Sequence, residues 1–332
     1  MKHLLPPVKF YKASLHTHST VSDGKLTPQE VKELYKAQGY SILALTDHHI
    51  IAAHPELNDP DFLALTSIEI GMETEDYAPP QSFFGKAYHM NLIAKDPDNL
   101  WQPYPPKKIT DTNREYVEKA HWDQRRRVYS VEMAQEIITR ANEEGFLVTY
   151  NHPVWSNQYY PDYITLEGLW ALEIRNTHNC MMGINENNAL VYRDFLHEGR
   201  RMCVVAADDT HRTHTIGGSF TMIGAKELTY ASVIEAMEQG NVYASCGPLI
   251  YSLTLEGTML RITCDEAAEI CLETQTRHAQ RATGGITEAE FDLSVWLEKS
   301  KGDPNAYIRL TVVAPDGSYA ATRAYFINEL GV

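Results

Sequence analysis

The first pattern that could do chemistry is a pair of histidines two residues apart, followed by an aspartate. His16 and His18 lie in the stretch SLHTHSTVSDGK, and Asp23 follows the second histidine by five residues. Because residues i and i+2 point to the same face of a strand, both imidazoles can reach one cation. Taken alone, the cluster is more typical of a structural or solvated segment, so the rest of the chain decides between the two interpretations.

Strand-like apolar runs that end in ionisable residues recur along the first two-thirds of the chain. Short runs of this kind are typical of buried parallel strands, whose carboxyl ends meet on one face of an α/β barrel. The histidines and carboxylates near these ends are His48, Glu69, His89, His152, Asp209 and His211. With the first three residues they make six histidines and three carboxylates. Their convergence would give the donor set of a polynuclear metal site.

Helical segments lie between several of these runs. In the segment 27–39, Thr27 is the expected N-cap, Pro28 the first helical residue, and Glu30 the partner that completes a capping box. Other segments of this kind are 130–145, 185–199 and 229–240. The alternation of strands and helices predicts an α/β fold with a parallel sheet or barrel.

The character of the sequence changes after about residue 245, where short alternating segments predict an all-β part. The last of these segments is expected to form a hairpin that turns at Pro315, Asp316 and Gly317. We therefore expect a catalytic domain over residues 1–247 and a small sandwich-like domain over 248–332. Two stretches rich in proline and aromatic residues, 76–88 and 95–129, are interpreted as insertions in the first domain.

Composition limits the classes of function. The chain has 332 residues and a formal net charge of −15, which argues against binding to nucleic-acid polymers or anionic membranes. Five scattered cysteines without CxxC spacing favour reduced thiols in a reducing compartment. No secretory signal or membrane span is recognisable, so we expect a cytoplasmic protein.

The ionisable motifs resemble those of the PHP (polymerase and histidinol phosphatase) superfamily of metal-dependent hydrolases. The stretches that carry the resemblance run from residue 15 to about residue 211. They are HTHS, SDG, LTDHH, IEIG, the histidine of YHMN, NHP and DDTH. The later segment GNVYASCGPL, followed by a β-rich part, is similar to the carbaryl-hydrolase-like branch.

The resemblance implies a distorted seven-stranded (β/α) barrel with a small C-terminal all-β domain. It also implies two or three divalent transition-metal ions (Zn, Mn or Fe), with Glu69 bridging the first two. The ligands of the first metal would be His16, His18, Glu69 and Asp209. Those of the second would be Glu69, His89 and His152, and those of the third Asp23, His48 and His211. A hydroxide between the first two metals would be the nucleophile, since coordination lowers the pKa of water to about 7.

Five further residues are candidates for contact with the substrate or with the ligands. Two of them are histidines that follow strands on the expected active face, and one belongs to an arginine run that is most simply a solvated surface. The five candidates are His178, His214, Arg175, Asn151 and Arg125. Within the DDTH stretch, the Asp-x-His spacing favours Asp209 over Asp208 as the ligand.

The leading functional hypothesis is a metal-dependent phosphoesterase that hydrolyses a small phosphomonoester or phosphodiester. The chain carries the full ligand set but no separate nucleophile motif such as GxSxG. The alternatives are a carboxyl- or carbamate-ester hydrolase with the same metals and a non-catalytic metal-binding module, against which the intact ligand set argues. The expected partner is a small anionic ester, and self-association is a further candidate.

Overall fold

The computed structural model describes residues 1–73, 85–125 and 127–331. Strands in the first half of the chain are β1 (Lys2–His3), β2 (Phe10–Ser14), β3 (Ile42–Ala44), β4 (Leu63–Leu65), β5 (Ser67–Glu73), β6 (Ala87–Ala94), β7 (Trp101–Gln102), β8 (His121–Trp122) and β9 (Phe146–Tyr150). They are followed by β10 (Ala171–Asn176), β11 (Cys203–Ala207), β12 (Phe220–Gly224), β13 (Val242–Ser245), β14 (Ile250–Glu256), β15 (Met259–Thr274), β16 (Ala279–Asp292), β17 (Tyr307–Val313), β18 (Tyr319–Thr322) and β19 (Tyr325–Phe326). The helices are α1 (Pro28–Ala37), α2 (Arg114–Lys119), α3 (Val131–Glu143), α4 (Tyr160–Tyr163), α5 (Thr177–Met181), α6 (Ala189–His197), α7 (Tyr230–Glu238), α8 (Ser294–Lys299) and α9 (Ile327–Leu330). The fold is therefore mixed α/β, as the sequence predicts.

Helix α1 begins as its sequence predicts. The Thr27 hydroxyl accepts a hydrogen bond from the backbone N–H of Glu30, and the Glu30 carboxylate accepts one from the backbone N–H of Thr27. This reciprocal pair satisfies two donors that the first turn would otherwise leave unpaired. Helices α3, α6 and α7 lie within the other three segments that were expected to be helical.

A five-stranded sheet carries much of the expected ligand set, in the order β11-β10-β9-β6-β5. Strands β9, β10 and β11 run parallel, as expected. Strand β6, however, runs antiparallel to both β5 and β9, so the prediction of a parallel strand is wrong for this run. Apolar content marks a buried strand but does not encode its direction, which depends on the connections around it.

The other large sheet has twelve strands and contains β2, β3 and β4 as parallel neighbours. It meets the five-stranded sheet through isolated bridges between Thr17 and Thr210 and between His48 and Glu69. A shared hydrophobic cluster fills the space between the sheets with side chains such as Ile42, Ile93 and Val205. The two sheets therefore bring their ligand-bearing ends to one place.

The C-terminal strands belong to the same twelve-stranded sheet, in the order β1-β14-β15-β17-β18-β13-β12-β2-β3-β4, with β16 on β15 and β19 on β17. Strand β18 pairs with β13, which in turn pairs with β12. The predicted hairpin is present, because β17 and β18 pair antiparallel and Gly317 at its turn has a φ of 86°. The division at residues 247 and 248 stays a prediction, and its two parts share a sheet.

The two expected insertions differ in what can be said of them. Most of the stretch 76–88, namely residues 76–84, lies outside the described residues. The stretch 95–129 contains β7 and β8, which pair in parallel, and the short helix α2. Its Trp101 and Tyr104 are buried in a core cluster with residues of the five-stranded sheet. Within the part of the chain that the structure describes, no helix has the length and apolar character to cross a membrane.

Candidate metal centre

Glu69 of β5 stands at the middle of the cluster, with five imidazoles around its carboxylate. The side chain is buried, and its two oxygens face different histidines. Oε1 lies near three imidazole nitrogens: His89 Nδ1 at 3.0 Å, His16 Nε2 at 3.2 Å and His152 Nε2 at 3.4 Å. Oε2 lies near two: His48 Nδ1 at 3.1 Å and His18 Nε2 at 3.3 Å. A carboxylate shared in this way has the geometry of a bridge between two cations.

Asp209 closes the cluster from the end of β11. Its Oδ1 lies 3.0 Å from His18 Nε2, 3.3 Å from His16 Nε2 and 3.6 Å from His211 Nδ1. The backbone of Asp209 has a φ of 53°, and that of His152 a φ of 27°, in the left-handed region that non-glycine residues rarely adopt. Backbone strain of this kind is characteristic of functional sites, where the surrounding structure holds it in place.

A third group lies at the exposed edge of the cluster. Asp23, whose side chain is 54% exposed, directs Oδ2 toward His211 Nε2 at 3.4 Å and His48 Nε2 at 4.0 Å. Its Oδ1 is 3.9 Å from His18 Nδ1. The imidazole of His18 stacks against those of His211 and His48, with ring centroids 4.1 and 4.4 Å apart. The stretch SLHTHSTVSDGK thus contributes expected ligands both to the buried cluster around Glu69 and to this exposed edge.

All nine sequence-predicted ligands therefore come together. Among the described residues, their nitrogen and oxygen atoms form four groups that could each hold a metal ion. The groups are His16, His18 and Asp209; His16, Glu69 and His152; His48, Glu69 and His89; and His18, Asp23, His48 and His211. Metal ligation by these residues stays a prediction. His48 belongs to two of the groups, one with Glu69 and His89 and one with Asp23 and His211, so it lies beside both the expected second metal and the expected third metal.

The donor set fits divalent ions of the transition series. Several buried polar atoms of the cluster have no hydrogen-bond partner among the described residues, namely Nε2 of His16, both ring nitrogens of His18, Nδ1 of His48, Nε2 of His89, Oε2 of Glu69 and Oδ1 of Asp209. Buried polar atoms are normally paired, and each unpaired one destabilises the fold. Imidazole and carboxylate donors that face one another in this way suit Zn, Mn or Fe. Bound cations would satisfy these atoms.

Electrostatics in the metal-free cluster favour protonated imidazoles beside ionised carboxylates. Burial alone lowers the pKa of His18, but the facing carboxylates of Asp209 and Glu69 outweigh it and raise the pKa to about 10. His89 has its pKa lowered by burial and raised more strongly by Glu69 and Glu73, to about 9. Burial raises the pKa of Glu69 and of Asp209, but the facing histidines hold both pKa values well below their usual range. The protonated imidazoles offset the charge of these carboxylates, so a metal ion that binds here would have to displace protons.

His48 behaves differently from its neighbours. Burial lowers its pKa to about 3, and the nearby imidazoles of His18 and His89 add to this effect. A neutral imidazole is the form that binds metal. His48 is therefore ready for coordination without the loss of a proton.

Glu173 supports the cluster from behind, and sequence reasoning assigned it no role. Its Oε1 lies 2.9 Å from His16 Nδ1, and its Oε2 accepts hydrogen bonds from the backbone N–H of His152 and from Asn176 Nδ2, both at 3.1 Å. Asn176 Nδ2 also donates to Asp209 at 3.1 Å. A carboxylate on the far nitrogen of a ligating histidine fixes its tautomer and ring orientation. The one signal in the sequence is a charged residue inside the apolar run LWALEI.

Asn151 and Asp208 are neighbours of expected ligands in the sequence, but neither is a member of the cluster. Asn151 Nδ2 donates to Glu69 Oε1 at 3.2 Å, which places this candidate among the supports of the bridge. Asp208 points away from the cluster and accepts hydrogen bonds from the backbone N–H groups of Gly217 and Ser219, both at 2.7 Å. The structure therefore places Asp209 in the cluster and Asp208 in a loop contact.

The cluster opens into a cavity of about 1340 Å³. His178 and His214 line it, and His178 Nδ1 lies 3.2 Å from the backbone oxygen of Asp209. Cationic side chains also line it, from separate parts of the chain. They are Lys25, Lys86, Lys107, Lys108 and Arg212. A metal centre at the base of a cavity with these cations can accept an anionic molecule.

Besides Asn151, which contacts Glu69, two further candidates lie outside the described lining of this cavity. Arg175 lies with its guanidinium carbon 5.8 Å from the ring centre of Tyr319, a residue of the C-terminal part. Arg125 forms ion pairs with Glu136 and Asp123 at the surface. Neither belongs to the described lining of the cavity, and contact of either residue with substrate stays a prediction. Arg125 pairs with residues near it in the chain, whereas the partner of Arg175 is distant in sequence.

Comparisons with known proteins give short or distant likenesses. No family profile matches the chain. A 5′-3′ exoribonuclease of Haemophilus influenzae is 42% identical over 62 residues, which is 19% of this chain and 20% of that protein. The aligned stretch therefore spans about one fifth of the curated relative.

Three solved structures are similar at low identity. A two-domain protein from Bacteroides vulgatus, described as containing a predicted PHP-like metal-dependent phosphoesterase, is 15% identical with a TM-score of 0.45, over 98% of both chains. An amidohydrolase from Chromobacterium violaceum is 15% identical with a TM-score of 0.40, over 69% of this chain and 96% of its own. The lesion-specific endonuclease EndoQ from Pyrococcus furiosus is 16% identical with a TM-score of 0.40, over 70% of this chain and 56% of its own.

All nine side chains that the motifs contribute, from His16 to His211, converge on one centre. In these motifs and in this convergence, the chain resembles the PHP superfamily of metal-dependent hydrolases.

Proposed function

We propose that the protein is a metal-dependent phosphoesterase of the PHP superfamily that acts on a small phosphomonoester or phosphodiester. The observation that carries the proposal is the convergence of nine imidazole and carboxylate side chains at the base of a cavity lined with cations. An oligonuclear centre suits phosphoryl transfer because it can hold both the attacking and the leaving oxygen.

The ligands divide into roles in this proposal. Glu69, His16, His18, Asp209, His89 and His152 would hold a bridged pair of ions, and Asp23, His48 and His211 a third. Zn, Mn and Fe are the candidate metals. When bound, the ions polarise the ester and lower the pKa of water, so that a nucleophile is available near neutral pH. The seven-stranded barrel is the fold that we propose for the ligand-bearing part.

Other residues of the chain would hold the expected ligands in place and orient the ester. Glu173 and Asn151 hold His16 and Glu69 through buried hydrogen bonds, which keeps the ligands in one arrangement. Lys25 and Arg212 line the cavity near the exposed Asp23 and His211 edge. They would contact the anionic groups of the substrate, as cations do in phosphate recognition. His178 would contact the substrate from the same wall.

The cationic lining favours a phosphoester over a neutral carboxyl or carbamate ester. The chain has a formal net charge of −15, yet five lysine and arginine side chains line this one cavity. Of the four carboxylates that also line it, three are expected metal ligands and the fourth, Glu73, pairs with Lys107. Several described cavity cations, including Lys25, Lys108 and Arg212, come from separate segments. The Haemophilus relative is named for phosphodiester cleavage, which supports the same ester class.

The test is a substrate panel on the metal-loaded protein. Zn, Mn and Fe forms are each given phosphomonoesters, phosphodiesters, carboxyl esters and carbamates, with Asp209→Asn as the variant that weakens the centre. We expect hydrolysis of a phosphoester class and a loss of about 100-fold or more in Asp209→Asn. Hydrolysis of carboxyl or carbamate esters alone would replace the proposal with its alternative. Stoichiometric metal without hydrolysis of any ester would favour the binding module.

A further inference from the structure

Trp155 lies on the cavity wall beside the metal centre, and its side chain is 38% exposed. Its ring contacts two of the expected ligands: the ring centres of His152 and His89 are 5.1 and 5.4 Å away. Met182, which is 60% exposed, also lines the cavity. A large aromatic side chain exposed within a polar site is unusual, since burial of its apolar surface would stabilise the fold.

The backbone that carries Trp155 is held in place by a buried carboxylate. Glu186 is fully buried, and its Oε2 accepts a hydrogen bond from the Trp155 N–H at 2.7 Å while its Oε1 accepts one from the Val154 N–H at 3.1 Å. Asn188 Nδ2 donates to the same Glu186 Oε1 at 2.9 Å. A buried carboxylate is unfavourable unless hydrogen bonds satisfy its oxygens. Here the backbone N–H groups of Val154 and Trp155 provide them. The indole is therefore presented from a rigid support.

The space beside Trp155 exceeds what a phosphate group needs. The cavity measures about 1340 Å³ and extends past the metal centre to Trp155, Met182 and His178. Lys107 and Lys108 also line this cavity. Because the Trp155 ring contacts His152 and His89, an ester held at the centre could place its organic portion against the indole. Planar rings stack on such surfaces with a preference that does not depend on their hydrogen-bonding groups.

We propose that Trp155 forms a subsite for a planar aromatic portion of the substrate, either a nucleobase or an aryl ring. This inference rests on the proposed function, because it places the ester of the same molecule at the metal centre. Trp155 supplies the stacking surface, and the exposed thioether of Met182 lines the same cavity. Glu186 acts through the backbone as a positioning residue.

The test compares esters that differ only in the aromatic group. Adenosine 5′-monophosphate and ribose 5-phosphate share the scissile bond and differ by the base. Benzyl phosphate and cyclohexylmethyl phosphate differ by the π system. The proteins are the metal-loaded wild type, Trp155→Ala, Trp155→Phe and the control Tyr160→Ala, which removes an exposed aromatic side chain outside the described cavity lining.

For the wild type we expect a higher kcat/KM for the aromatic member of at least one pair. Trp155→Ala should lower that preference about tenfold, Trp155→Phe should restore most of it, and Tyr160→Ala should leave it unchanged. Because the result is a ratio within one protein, a change in metal content cancels. A preference that is equal in all four proteins would overturn the subsite. The pair that responds tells a nucleobase from an aryl ring.

A binding measurement separates this subsite from the proposed reaction. Adenosine 5′-monophosphate and benzyl phosphate are each titrated into metal-free protein by equilibrium dialysis, with ribose 5-phosphate and cyclohexylmethyl phosphate as the respective competitors. For at least one of the two ligands we expect binding that depends on the aromatic group and weakens about tenfold in Trp155→Ala. If such binding is present while the loaded protein hydrolyses no phosphoester, the proposed function fails and the subsite stands. If phosphoesters are hydrolysed but binding does not depend on Trp155, the subsite fails and the function stands.

Discussion

The Nδ1 atom of His16 lies 2.9 Å from Oε1 of Glu173, and both side chains are only 1% exposed. This buried contact leaves Nε2 of His16 directed toward Glu69 and Asp209, at 3.2 and 3.3 Å. The same Glu173 also holds the backbone N–H of His152. Glu173, which is outside the expected ligand set, therefore orients the imidazole of His16 and holds the backbone of His152.

Removal of the Glu173 carboxylate should weaken metal binding without removing a ligand. We expect Glu173→Ala to lower metal affinity about 10- to 100-fold, as is usual for a carboxylate behind a ligating histidine. Glu173→Gln should fall between this variant and the wild type, because its amide NH₂ would face donors of His152 or Asn176. Affinity is measured by competition with a chelator, and the tautomer of His16 by nitrogen-15 NMR. Glu132→Gln, an exposed residue of α3, is the control. Unchanged affinity and tautomer in both Glu173 variants would contradict the assigned role.

Metal affinity should rise with pH between about 6.5 and 9. In the metal-free protein the pKa of His18 is about 10 and that of His89 about 9, so both imidazoles carry protons at neutral pH. Coordination requires the neutral form, so each ion must displace protons to bind. Burial lowers the pKa of His16 too, but Asp209, Glu69 and Glu173 outweigh it and raise this pKa well above its usual value. Calorimetric titrations in buffers of different ionisation enthalpy should therefore show release of about three protons per chain near pH 7.5. An affinity that does not change with pH would mean that these histidines are not ligands.

Stability of the metal-free protein should change with pH in the opposite direction. A histidine whose pKa is raised on folding contributes stability that is fully present below its unfolded pKa of about 6.5 and is lost as pH rises through its folded value. His18 and His89 place this loss between about pH 6.5 and 10. We expect the free energy of unfolding to fall by about 1 kcal/mol or more per pH unit from 6.5 to 8.5, as measured by denaturant titration. Substitution of His18 by Gln should reduce the slope, and a slope of zero in the wild type would contradict the prediction.

Removal of the C-terminal part should prevent folding, although its residues hold no expected ligand. In a chain that ends at residue 247, β13 keeps its neighbour β12 but loses β18, with which it pairs at Ser245 and Ala320. This chain also loses Tyr307 and Phe326 from the core cluster that contains Ile68 of β5. We expect no cooperative thermal transition by near-ultraviolet circular dichroism. A shortened chain that folds and binds metal would show that the division at residue 247 separates independent domains.

The sequence was informative wherever short-range chemistry determines the outcome. The capping box of Thr27 and Glu30 marks the start of α1, and the i and i+2 spacing of His16 and His18 marks a shared direction. Such signals depend on neighbours within a few residues. The identities of the converging side chains were predictable because they lie in short motifs that resemble those of the PHP superfamily, several of them at the end of an apolar run.

Features that depend on distant contacts could not be predicted. The direction of β6 follows from its pairing with β5 and β9, and its antiparallel course places His89 at the same edge as the carboxyl ends of the parallel strands. Glu173 acquires its role only when it meets His16, which is 157 residues away. The same holds for Arg175, which packs on Tyr319 of a distant strand instead of reaching the cavity.

The central claim is that Glu69 bridges two ions, and metal content measured on paired variants tests it most directly. Wild type, Glu69→Gln and His211→Ala are loaded with Mn or Zn, desalted and analysed by mass spectrometry of the metal. Wild type should hold two or three ions per chain, as its four overlapping groups allow. His211→Ala should lose about one ion, and Glu69→Gln at least two, because a neutral amide cannot offset two adjacent cations. Full metal content in Glu69→Gln would contradict the bridge and the grouping of ligands built on it.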